Sequence, residues 1–286
     1  MWIAYAFASA FFAGVTSILA KIGISKVDST LATAIRTVVV AIFAWILVAV
    51  IGEHFRLDRI DARSLAFLVL SGLTTGVSWL CYFRALRTGD INQVVPIDKS
   101  STVLAMLLAF VLLGEGVTAL KCFAMALMSG GTWMMVGKRE RANPEAEGRG
   151  WLFYAALSAV FAALTAILGK IGIEGVESNL GTAIRTVVVA VMAWMLVAAR
   201  KTTREIGRID RRGWLFLILS GLATGLSWLC YYRALQEGPA SVVVPIDKLG
   251  ILVAVAFGCL VFREKLTAFS AIGLAFVTIG TLLLLV

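Results

Sequence analysis

Apolar runs of about twenty residues follow one another along this chain with only short polar gaps, and that pattern constrains the fold more than any other feature. A helix needs about 20 mainly apolar residues to cross a bilayer. Ten runs of that kind are present, at about 2–24, 31–51, 64–86, 92–113, 120–136, 151–173, 180–199, 213–235, 241–262 and 267–286. With 60% hydrophobic and only 15% charged residues among 286, too little polar surface is left to wet a soluble enzyme. The chain is read as an all-α integral membrane protein, multi-pass, in a plasma or inner membrane.

The ten runs are two copies of five. The segment IRTVVV at 35–40 returns at 184–189, SWLCY at 78–82 returns at 227–231, and PIDK at 96–99 returns at 245–248. The offset is 149 each time, so 1–137 and 151–286 align without a gap, joined by the linker 138–150. Five is odd, so the second copy must enter the bilayer from the opposite face. The expected architecture is ten transmembrane helices as two inverted five-helix repeats. Loops after the odd-numbered runs hold most of the basic residues, Arg139, Arg141, Lys201 and Arg204 among them, against Arg56, Arg59, Arg63 and Lys121 on the other face. The positive-inside rule then makes the first face cytoplasmic and both termini extracytoplasmic. The net charge of +9 is thereby read as topology, not as nucleic-acid affinity.

An Arg early in the second run of each copy (Arg36, Arg185), a Glu just after the fourth (Glu115, Glu264) and the five-plus-five plan resemble the EamA branch of the drug/metabolite transporter superfamily. The resemblance covers the whole chain. It implies an alternating-access secondary transporter for a small metabolite, with the pathway between the two halves. It also implies cytoplasmic termini for many members, opposite to the loop charges, and both expectations stand here.

Ionisable groups inside apolar runs are costly and default to a functional reading unless they can snorkel to the interface. Counting about 1.5 Å per residue, Lys21, Arg36, Arg84, Asp98 and Lys99 fall near one face. Their equivalents Lys170, Arg185, Arg233, Asp247 and Lys248 fall near the other. Each mouth would hold four cations around one carboxylate, and Asp98 pairing with Arg36, Lys99 or Arg84 would seal one mouth while the Asp247 set parts. The bland alternative for Lys21, Arg84, Lys170 and Arg233 is lipid phosphate. Pro96 and Pro245, two residues before the aspartates, either kink the fourth span beside the pathway or sit in its first turn, where proline is tolerated.

At mid-span, Ser78, Trp79 and Tyr82 and their equivalents Ser227, Trp228 and Tyr231 share a helix face and would offer hydroxyls beside an aromatic wall for a small substrate. Helix packing is the competing account, through Gly72, Gly76, Gly221 and Gly225. The first span of each copy has Ala13, Gly14, Ala162 and Ala163 in place of an acid, which argues against the cation–proton exchange of the smaller multidrug members. The cation excess favours anionic or zwitterionic metabolites, and proton coupling, if present, runs through Asp98 and Asp247. No nucleophile, base and orienter arrangement is present, and the four cysteines and His54 lack metal-ligand spacing. No enzyme activity, cofactor or metal is therefore expected. Membrane lipids are the expected surroundings. The chain is a monomer, its two copies pairing internally, or a homodimer. The alternatives from other classes are a flippase for a lipid or polyprenyl-linked headgroup and a passive channel.

Overall fold

The computed structural model describes residues 1–23, 27–52, 60–88, 94, 97–136, 150–260 and 267–286. Their long elements are α1 (Trp2–Gly23), α2 (Ser29–Ile51), α3 (Ala62–Thr88), α4 (Ser101–Leu112), α5 (Ala119–Val136), α6 (Gly150–Ile173), α7 (Ser178–Arg200), α8 (Arg211–Glu237), α9 (Ala240–Lys248), α10 (Gly250–Leu260) and α11 (Ala268–Leu283), with a 3₁₀ turn at Thr202–Arg208. Seven stretches among these are long and apolar enough to cross a membrane, the last being Ala240–Leu260. That stretch is read from sequence as one continuous run, but it is two helices here, parted at Leu249. Pro245 stands inside α9, past its first turn, and the helix ends three residues later.

Capping chemistry sets the other ends. Asp28 accepts from the Thr30 and Leu31 amides at the start of α2, and its repeat equivalent Glu177 accepts from Leu180 N at the start of α7. Gly52 closes α2 with φ +82°, a left-handed cap suited to glycine. The equivalent end of α7 is closed by Lys201 at φ +57°.

Side-chain pairs give the directions of packing. Ser9 meets Ser227 and Thr16 meets Thr224, so α1 and α8 run antiparallel. Ser78 meets Ser158 and Thr75 meets Thr165, so α3 and α6 do the same. In α2, Leu31 and Ile35 cluster with Ala193 and Val197 of α7, while Ala44 and Val48 cluster with Leu180 and Ala183, again antiparallel. Helices α5 and α11 meet through Gly131 at Gly273 and Gly280 at Ala124. Each of these contacts either joins repeat equivalents or turns into another when 149 is added or removed.

The polarity is the reverse of a soluble protein's. Ser9, Ser71, Thr75, Ser158, Ser220 and Arg185 are buried, while Ile42, Ile46, Val111, Phe153, Val191 and Met195 face outward. Apolar surroundings suit the outside, and the hydroxyls supply hydrogen bonds where helices meet. The four cysteines are free.

Close approach of α3 to α7 depends on glycine. A Cβ on Gly72 would lie 2.7 Å from Val188 Cβ and 3.2 Å from the Arg185 carbonyl oxygen, and a Cβ on Gly221 would meet Val39 and Arg36 in the same way. A Cβ on Gly130 meets open space. Gly72→Ala should therefore destabilise the protein by about 1–3 kcal/mol through overpacking. Gly130→Ala should be neutral or gain up to about 1 kcal/mol from helix propensity. Thermal unfolding in detergent distinguishes them, and equal effects would mean that the α3–α7 contact is loose.

Candidate functional site

Two pairs of equivalent polar networks join the halves. In the first pair, a serine from the first helix of one half donates to the aspartate of the other half. Ser9 Oγ donates to Asp247 Oδ1 at 2.5 Å and Ser158 Oγ donates to Asp98 Oδ1 at 2.8 Å. Each serine is fixed by a partner on the third helix: Ser227 Oγ donates to the Ser9 carbonyl at 3.1 Å, and Ser78 Oγ donates to the Ser158 carbonyl at 3.0 Å. A carboxylate inside an apolar protein is tolerable only with donors and cations around it. Beside the serine bond, Lys248 Nζ stands 3.7 Å from Asp247 Oδ2. Lys99 lies close enough to Asp98, Asp247 and Lys248 for each to act on its charge.

The second pair is built on the arginines. Arg36 donates to Thr224 Oγ1 at 3.0 Å, and Thr16 closes on the same threonine at 3.3 Å. Arg185 donates to Thr75 Oγ1 at 2.7 Å and to Ser71 Oγ at 3.1 Å, with Thr165 beside Thr75 at 3.3 Å. The copies then diverge. Arg185 is 3% exposed, with its guanidinium 5.0 Å from the rings of both Trp228 and Tyr232. Arg36 is only partly buried, and Phe83, which stands where the second half has Tyr232, lies instead 4.7 Å from Arg200.

Packing follows the same asymmetry. Helix α6 packs on α8, and Gln236 Nε2 donates to the carbonyls of Ile173 and Val176 at 3.0 and 2.7 Å. Among the described residues the equivalent α1 and α3 make no comparable contact. Glu115 accepts from the Ala240 and Ser241 amides at 2.6 and 2.9 Å, holding the start of α9 with both carboxylate oxygens.

Several expectations change in this geometry. Among the described residues, Asp98 pairs with Ser158, and Arg36 turns to Thr224, not to a carboxylate. The two Asp-Lys pairs are not confined to separate mouths, because Lys99 feels Asp247 and Lys248 as well as its own neighbour. Depth counted along a continuous fourth span fails because α9 ends at Lys248, which carries the dipeptide to a break inside the bundle. Lys170 does not reach for lipid. Its Nζ donates to the carbonyls of Leu235 and, at 2.8 Å, Gly238, at the end of α8. Arg233 pairs with Glu237 at 2.7 Å, and Arg84 lies 5.5 Å from the Tyr154 ring. Pro96, Glu264 and the Lys21 side chain lie outside the described residues.

The aromatic face also divides. Trp79 packs with Trp194, Trp214 and Ile206 around an apolar cluster, whereas its equivalent Trp228 faces Arg185. Tyr82 is within electrostatic reach of Asp98, and Tyr231 of both Asp247 and Arg185. An apolar hollow of about 500 Å³, lined by residues such as Ala41, Val191 and Met195, contains none of the polar site residues. Among the described residues no group of His, Cys, Asp and Glu could hold a metal ion.

Sequence reading passes over Ser71, Thr75 and Thr224 as partners of the arginines. The duplication carried the signal, since each hydroxyl recurs at 149. Tyr232 has no such signal, its equivalent being Phe83.

A family model described as the EamA-like transporter family matches residues 1–137 and 149–286. An uncharacterised transporter in the cobO 3′ region of Sinorhizobium sp. is 48% identical over 136 residues, which span 48% of this chain and 96% of that protein. An uncharacterised protein of Methanocaldococcus jannaschii, MJ1333.1, is 35% identical over 75 residues, 26% of this chain and 55% of that one. A solved crystal structure of a protein superimposes with TM-score 0.77 at 16% identity, covering 99% of this chain and 96% of its own.

Proposed function

This chain belongs to the EamA-like transporter family of membrane transporters, and from that premise we propose that it is a secondary carrier moving a small metabolite by alternating access between two inverted five-helix repeats. Ten spans follow when α9 and α10 count as one interrupted crossing and α4 is taken with the helical residues 97–99. The antiparallel course of α2 beside α7, and of α5 beside α11, supports the inversion.

The observation that carries the reading is that equivalent networks are unequally closed. Around Arg185 the second half is drawn tight: Trp228 and Tyr232 hold the guanidinium, α6 packs on α8, and Glu115 fixes α9. Around Arg36, among the described residues, neither Trp79 nor Phe83 holds the guanidinium and α1 makes no comparable contact with α3. Two arrangements of one repeat, both drawn from the same sequence pattern, are what a rocking carrier needs, and the second arrangement is the first with the halves exchanged. The loop charges support a cytoplasmic face for the basic loops, with the termini outside.

Cross-linking tests the exchange. In a background lacking Cys81, Cys122, Cys230 and Cys259, the pair Val176→Cys and Gln236→Cys should cross-link readily, because Gln236 already reaches the Val176 carbonyl. The equivalent pair, Val27→Cys with Arg87→Cys, should cross-link slowly in the resting protein, and locking either pair should abolish counterflow in proteoliposomes. Undiminished transport with either pair locked overturns the rocking mechanism.

A further inference from the structure

We infer that an anionic phospholipid binds the outside of the bundle, with its acyl chain in the apolar hollow between α2 and α7 and its headgroup on the basic turn that follows α7. The inference goes beyond the carrier reading and does not depend on it. Its first ground is the hollow. This has a volume of about 500 Å³ and is lined by Ala41 of α2 and by α7 residues at helical spacing from Val187 to Ala198. Eleven residues of helix rise about 16 Å, close to the depth of hydrocarbon in one leaflet of a bilayer about 30 Å thick. Val191 and Met195 are exposed along it, and no charged or hydroxyl side chain joins the lining. An alkyl chain suits such a surface. Ala41 belongs to the first copy and the other lining residues to the second, so a lipid seated there touches both halves.

The second ground is charge. Residues 200–212 carry Arg200, Lys201, Arg204, Arg208, Arg211 and Arg212 against two acids, Glu205 and Asp210. Both acids are engaged with backbone amides: Glu205 accepts from Asp28 N at 3.2 Å, and Asp210 accepts from Gly213 N at 2.7 Å. Arg200 donates to Thr30 at 2.8 Å and lies over the Phe83 ring, whereas the other five cations are exposed. Such a juxtamembrane cluster attracts anionic headgroups. The third ground is position. Ala198, at the end of the hollow, precedes by three residues Lys201, which closes α7, a rise of about 5 Å. Trp194 lines the hollow and packs against the same buried cluster as Ile206 and Ile209 of the basic turn. Topology alone accounts for the number of cations on this face. It does not account for an apolar hollow of leaflet depth that ends beside them.

The test uses the full chain in phosphatidylcholine vesicles that contain a small fraction of phosphatidylglycerol or phosphatidylcholine with brominated acyl chains, which quench tryptophan on contact. Quenching of Trp194, taken as the difference between the unsubstituted chain and Trp194→Phe, should be stronger for the brominated phosphatidylglycerol at equal fraction. Lys201→Gln, Arg204→Gln and Arg208→Gln should each lower that preference by up to about fivefold, and Arg63→Gln at the start of α3 should leave it unchanged. Ala190→Phe, which fills the hollow, should lower Trp194 quenching by both lipids. Excess glycerol 3-phosphate should not displace the lipid, because it lacks the chain. Equal quenching by the two lipids overturns the inference, as does a preference that survives the three Gln substitutions together. Displacement by glycerol 3-phosphate would assign the turn to free phosphate instead. Quenching unaltered by Ala190→Phe, or a change only in oligomeric state, would make the hollow an interface between copies of the chain. If the triple variant does not insert, the unsubstituted protein still decides: the preference should vanish in about 1 M salt, and its persistence there overturns the inference.

Discussion

Asp98→Asn and Asp247→Asn should each reduce transport by about a hundredfold while leaving membrane insertion intact. The substitution preserves shape, and an amide oxygen can still accept from Ser158 or Ser9, which now donate at 2.8 and 2.5 Å. What is lost is the charge opposing Lys248, 3.7 Å from Asp247, and Lys99 beside both aspartates. Lys248 is almost half exposed, so breaking the pair costs on the order of 1 kcal/mol in this arrangement, whereas in an arrangement that buries the lysine an uncompensated charge costs about 3–5 kcal/mol. In a carrier that loss falls on whichever state buries the lysine more, so one conformation is disfavoured and the cycle stalls. Counterflow in proteoliposomes, normalised to folded protein, reads the effect. The prediction is for both variants. If only one were impaired, the two networks would not exchange roles, and full activity in both would remove the aspartates from the cycle.

The all-helical membrane character and the duplication were legible because apolar runs of crossing length follow one another and recur at a gap-free offset of 149. Less was legible at the site. Asp98, Asp247, Arg36 and Arg185 stood out as ionisable groups in apolar surroundings, but their partners did not, because sequence spacing speaks only to neighbours on one helix. The bonds that matter join residues such as Ser9 and Asp247, 238 positions apart. The attraction expected between opposite charges was also misdirected. Arg36 bonds to a threonine on α8 because Gly221 brings the α2 backbone against that helix, so the nearest acceptor is a hydroxyl. The break at Leu249 was hidden as well. Gly250-Ile251-Leu252 reads as a continuation of the apolar run, and only the two-helix geometry shows that Asp247 and Lys248 sit at a helix end.

Sequence identity between the halves at Arg36 and Arg185 conceals a difference in energy, and substituting each arginine exposes it. Arg185→Ala removes charge-assisted bonds to Ser71 and Thr75, each worth about 1.5–3 kcal/mol, and cation–π contacts with Trp228 and Tyr232 worth about 0.5–2 kcal/mol each. Burying Arg185 has a desolvation cost that disappears with the side chain, so the net loss should be about 3 kcal/mol. Arg36→Ala removes one bond, to Thr224, from a partly exposed side chain, and should cost about 1 kcal/mol. Thermal unfolding in detergent should therefore rank Arg185→Ala well below Arg36→Ala. Stability alone would fit a purely structural arginine, so a second readout is needed. If Arg185 holds its mouth closed, cross-linking of Val176→Cys with Gln236→Cys should slow when Arg185→Ala is added, and Val27→Cys with Arg87→Cys should speed up, because the equilibrium moves toward the exchanged arrangement. Tyr232→Phe gives the second half the residue found at Phe83 and should shift both rates in the same direction by a smaller amount. Equal destabilisation by the two arginine variants, with neither cross-linking rate altered, would mean that Arg185 fastens α7 to α3 and takes no part in closing the mouth.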